Sequence, residues 1–125
     1  PANYGFIPRT LAEDGDPLDV LVLCTEYIDP LTIMDCYPIG MITMIDSGSK
    51  DEKIIAIPKG DPTYNMYRDI TELPAHIFEE MKHFFKVYKE LENKKTQVED
   101  IMSSQEAIKV IKECIDSYNE KFKNI

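Results

Sequence analysis

Apolar residues recur at two different periods along this chain, and the period changes only once. Up to Pro58 they fall in short extended runs, and from Leu73 onward they recur every three or four residues. The run over 17–24, rich in Leu and Val, is too short for a typical helix and reads as a buried strand. Residues 32–36 and 39–45 read as two more strands, or as one long strand broken near Pro38 and Gly40. A further strand covers 54–57 and is ended by Pro58. Turn chemistry over 46–53 predicts a hairpin with a longish loop, and 60–69 reads as loop.

The helical half opens near Leu73, with Pro74 tolerated in the first turn. Ile77, Met81, Phe84, Tyr88 and Leu91 then form one helix face, ended over 93–95. A short strand is expected over 96–98. Ser103 and Glu106 have the form of a capping box, and Ile108, Ile111, Ile115, Tyr118 and Phe122 make a second apolar stripe. Strands first and helices after predict a small mixed sheet or barrel carrying two helices. The 125 residues, 43% of them hydrophobic, fit a single domain over 1–125. The chain begins at Pro1 without an initiator Met, which reads as a processed, truncated or partly determined chain.

Charge narrows the function. The chain carries −9, of which residues 1–52 hold −8, with Arg9 and Lys50 their only bases. A field of that sign repels nucleic acid, which argues against an OB-type nucleic-acid module needing a basic groove. No apolar run approaches the about 20 residues of a bilayer span, so no membrane partner is expected. Three cysteines, Cys24, Cys36 and Cys114, without a Cys-x-x-Cys pair read as reduced thiols of a cytoplasmic protein.

The densest chemistry lies in Asp14-Gly15-Asp16-Pro17-Leu18-Asp19, just before the first buried strand. Carboxylates that close repel one another unless a hard divalent cation joins them; solvated turn acids are the competing reading. An EF-hand loop does not fit, because its sixth and twelfth positions from Asp14 hold Asp19 and Thr25. Asp46, Asp51 and Lys53 around the next turn offer two more carboxylates and a cation. Tyr88 and Lys89 sit mid-helix, where core packing and snorkelling are their ordinary fates.

The stretch 14–20 resembles the signature of the family I soluble inorganic pyrophosphatases at every position. The segment 2–8, the Asp46-x₄-Asp51-x-Lys53 loop and the stretch 84–92 are similar to that family in the same order. The resemblance implies an OB-type five-stranded β-barrel flanked by two α-helices, incomplete here at the N-terminus. It implies hydrolysis of pyrophosphate with Mg²⁺, by a homo-oligomer, often a hexamer in bacteria. It assigns Asp14, Asp19, Asp46 and Asp51 to metal, and Asp16 to the general base near the attacking water. It makes Lys53, Tyr88 and Lys89 phosphate contacts and places Tyr4 in the site lining. Phosphate-binding Lys and Arg residues of the family fall upstream of this chain, so a metal-binding, catalytically weak piece of that enzyme is the alternative.

Overall fold

The computed structural model describes residues 2–46, 48–91 and 96–123; the side chains of Asp46, Phe84, Phe85, Tyr88, Lys89, Leu91 and residues 96–99 fall outside that description. Five strands, β1 (Ala2–Ile7), β2 (Leu18–Leu23), β3 (Cys36–Asp46), β4 (Ser49–Pro58) and β5 (Thr96–Ser103), join two helices, α1 (Ala75–Leu91) and α2 (Ser104–Phe122). The sheet order is β1-β2-β4-β3-β5. All pairings are antiparallel except β2 with β4, which run parallel without an intervening helix. The five-stranded OB-type arrangement with two helices agrees with expectation. Among the described residues, the end strands β1 and β5 do not pair with each other.

Alternation along the strands divides the core in two. Leu21, Leu23, Ile42, Met44, Ile55 and Ile57 face one side, where Met81 of α1 joins them. Val20, Val22, Met41, Ile54 and Ala56 face the other, against Ala107 and Cys114 of α2. Ile54, Ile55 and Ile57 are fully buried, each such side chain stabilising the fold by about 1.5–3 kcal/mol.

Several expectations need correction. Residues 32–35 lie outside β3, which begins at Cys36 and continues as one strand across an irregularity between Pro38 and Gly40. The hairpin after β3 is tight, with Asp46 paired to Ser49 and Gly48 at φ +85 supplying the left-handed backbone of the turn. Asp51 and Lys53 therefore belong to a strand, which puts both on one face. The expected strand over 96–98 extends to Ser103, and the helix end expected over 93–95 lies outside the described residues. In α2 the buried line is Ala107, Val110, Ile111 and Cys114 rather than the full isoleucine stripe. Ile108 and Ile115 are 40% and 37% exposed; small side chains at 107 and 114 let the helix approach the sheet and push the bulkier ones to its flanks. The Ser103 cap forms, its hydroxyl accepting from the Glu106 amide at 3.4 Å.

Candidate active site

Strand register brings distant residues together. Phe6 lies opposite Asp19 on β2, and Asp19 lies opposite Lys53 on β4. Directly paired residues share a face, and residues two apart along a strand share it too. Tyr4, Asp19, Asp51 and Lys53 thus stand together on one face of the sheet.

Lys53 is their centre. It is 3% exposed, and its Nζ donates to Tyr4 Oη at 2.6 Å, Asp19 Oδ2 at 2.8 Å and Asp51 Oδ1 at 3.2 Å. Burial opposes its charge, but the hydrogen bonds to Asp19 and Tyr4 and the nearby Asp51 charge outweigh it, so the ammonium titrates well above the usual lysine range. Burial likewise pushes the Tyr4 phenol up to about 12, against the opposing pull of Lys53. At neutral pH the site therefore holds a charged lysine and a neutral tyrosine.

Asp14 and Asp16 sit on the loop before β2. Asp14 Oδ1 accepts from the Asp16 amide at 2.9 Å, and Gly15 at φ +86 bends the chain between them. Thr10 anchors this loop at its base. Its hydroxyl donates to Ile7 O at 2.6 Å and accepts from the Leu18 amide at 2.9 Å, tying the end of β1 to the start of β2. The Leu11 amide also donates to Cys114 O of α2 at 3.0 Å. Sequence reasoning missed Thr10; one threonine ahead of an acidic turn gives no signal.

Asp14, Asp19 and Asp51 line one cavity of about 340 Å³, bounded on its far side by Glu113 and Cys114. Asp16 is exposed and is not among the residues lining that cavity. The backbone of Asp46 ends β3, and Tyr88 and Lys89 belong to α1; all three side chains lie outside the described residues. Carboxylate oxygens are the donor type that a hard divalent cation takes, so the chemistry of these side chains, though not their present spacing, suits such an ion. Among the described residues, no three His, Cys, Asp or Glu side chains converge closely enough to hold a metal ion; Asp19 and Asp51 meet through Lys53.

Fold and site define a class: a small OB-type domain in which strand carboxylates and a tyrosine hold one buried lysine, with an acidic loop ahead of the second strand. The chain belongs to the inorganic pyrophosphatase family, whose profile matches residues 1–119. It is 46% identical over 122 residues to soluble inorganic pyrophosphatase 2 of Chlamydomonas reinhardtii, covering 98% of this chain and 64% of that one. It is 50% identical to the inorganic pyrophosphatase of Aquifex pyrophilus, covering 96% of this chain and 70% of that one. The solved Helicobacter pylori inorganic pyrophosphatase superposes with a TM-score of 0.89 at 41% identity, over 94% of this chain and 71% of that one. Against the rice soluble enzyme the chain spans only 55% of its relative's length.

Proposed function

We propose that this chain carries the catalytic face of an enzyme that hydrolyses inorganic pyrophosphate to two orthophosphates. The observation that carries the reading is the Lys53 ammonium held by Asp19, Asp51 and Tyr4 in a chain of this family. Asp14, Asp19, Asp46 and Asp51 would hold Mg²⁺, which would supply Lewis-acid polarisation and charge neutralisation. Asp16, solvent-facing on its loop, orients the attacking water and takes its proton. Lys53, Lys89, Tyr88 and Tyr4 bind phosphate oxygens and offset the charge left on the departing group. Water adds its oxygen to one phosphorus, the bridging P–O bond breaks, and two orthophosphates leave.

On the same reading the protein is a cytoplasmic homo-oligomer, a hexamer as the resemblance implies for bacterial members. Its free thiols suit a reducing compartment. The deciding experiment measures phosphate release from pyrophosphate with and without Mg²⁺. Mg²⁺-dependent release is expected; none at any Mg²⁺ concentration would sink the reading. A second reading, a metal-binding but catalytically weak piece, is favoured by the chain's span of 55–64% of its plant and algal relatives. Mg²⁺ binding without phosphate release would select it.

A further inference from the structure

We propose that Lys53 is an internal counter-cation that competes with the divalent ion for Asp19 and Asp51, holding the two carboxylates together until the ion takes them over. This rests on the reading of Asp19 and Asp51 as metal ligands.

The first support is position. Parallel pairing sets Lys53 directly beside Asp19, and strand alternation sets it two residues from Asp51 on the same face. Its ammonium lies 2.8 Å from Asp19 Oδ2 and 3.2 Å from Asp51 Oδ1, so it occupies the point through which these two carboxylates meet. The second support is burial. The Lys53 side chain is 4% exposed, and those of Asp19 and Asp51 are 30% and 13% exposed. A buried ammonium without anions is strongly unfavourable, and two neighbouring carboxylates without a cation repel each other. Each side of the arrangement neutralises the other.

A divalent ion on the same carboxylates changes that balance. Two cations drawn to one pair of carboxylates repel each other across a few ångströms of weakly screened space. The lysine has a flexible four-carbon stem and a third partner, the Tyr4 hydroxyl at 2.6 Å. Tyr4 is 55% exposed, so a lysine that gives up the carboxylates and keeps Tyr4 swings toward the open side of the face. There its charge is available to an incoming phosphate. Binding of the ion and readiness of the lysine for substrate are thereby one event.

An orienting role, in which Lys53 fixes the carboxylates for the ion, predicts the opposite sign, because losing such a support weakens metal binding. The test is a Mg²⁺ titration without substrate, read by calorimetry and by thermal melts, on the wild type, Lys53→Gln and Lys53→Arg. Lys53→Gln is expected to bind Mg²⁺ about tenfold or more tightly than the wild type, since a competing unit charge is gone. Its melting temperature should be lower than the wild type's without Mg²⁺ and approach it at saturation. Lys53→Arg keeps the charge and grips carboxylates in a bidentate fork, so it should bind Mg²⁺ more weakly than the wild type, and it serves even if the Gln variant does not fold. Wild-type binding with a Gln variant no tighter, or an Arg variant no weaker, overturns the competition while leaving the metal reading intact. A wild type that binds no Mg²⁺ overturns both.

Discussion

The carboxylate of Asp69 accepts a hydrogen bond from the backbone amide of Ser104, 35 residues further along the chain, at 2.8 Å. Its other oxygen accepts from the amide and hydroxyl of Thr71 at 3.0 and 2.7 Å. One side chain thus caps the 3-10 turn ahead of α1 and also meets the first amide of α2. It ties that turn to the start of α2.

That dual contact sets a pH dependence. Hydrogen bonds from Ser104 and Thr71, against a smaller effect of burial, lower the Asp69 pKa to about 2. A depressed carboxylate contributes stability that is full above its unfolded value, about 3.9, and is lost as pH falls through the folded value. The melting temperature should therefore drop between about pH 4 and pH 2 more steeply in the wild type than in Asp69→Asn. Parallel curves for the two proteins over that window would remove Asp69 from the account.

Gly40 has no room for a side chain. A Cβ there would lie 2.7 Å from Ile70 Cβ and 2.9 Å from its Cδ1 and Cγ2, and both residues are buried. Gly40→Ala should destabilise the fold by about 1–3 kcal/mol, as overpacking does. Combined with Ile70→Gly, which removes the Cβ as well, it should cost less than the sum of the two single changes, a coupling measurable in a double-mutant cycle by urea unfolding. Strict additivity would mean that the contact does not exist.

Thr10 is 2% exposed and satisfies one carbonyl and one amide at the base of the acidic loop. Thr10→Val keeps the shape and leaves both backbone groups unpaired, which should cost about 1–3 kcal/mol. Thr10→Ser should cost much less. Chemical denaturation of the two variants checks this, and equal midpoints would show that the hydroxyl holds nothing.

The proposed chemistry separates Asp16 from Asp19. Asp16→Asn removes the base and should lower turnover on the order of 10² or more, with little change in Mg²⁺ affinity. Asp19→Asn should weaken Mg²⁺ binding first and regain part of its activity at high Mg²⁺. Turnover measured against Mg²⁺ concentration distinguishes them. Rescue of Asp16→Asn, with no rescue of Asp19→Asn, would mean that the two roles are exchanged.

Much of this was legible in the sequence because local chemistry is compact there. The apolar run that forms β2 and the acidic turn before it could be read directly, as could the Ser103 cap. β1 could not: its Tyr4 and Phe6 alternate with Asn3 and Gly5 over six residues, too short and too polar to stand out, and it becomes a strand by pairing with β2. The α2 stripe was misplaced because a period identifies a face only to within a residue or so. Which side meets the sheet is decided by the size of Ala107 and Cys114. That Asp51 and Lys53 share a face depended on the tightness of one turn. That Lys53 reaches Asp19 and Tyr4 depended on a parallel pairing that no local pattern encodes.

That parallel pairing has a kinetic consequence. The β1–β2 and β3–β4 ribbons are each joined through near neighbours, but among the described residues the two ribbons pair only along the β2–β4 seam. Asp19 and Lys53 are 34 residues apart, and Tyr4 and Lys53 are 49. Non-local pairings are slow to form, because chain closure costs entropy before any contact repays it. The ammonium and its partners should therefore assemble only when the ribbons dock. A destabilising substitution in the seam, such as Val20→Ala, should slow refolding by most of its equilibrium cost. Unchanged refolding, with the whole cost appearing as faster unfolding, would place seam formation after the rate-limiting barrier.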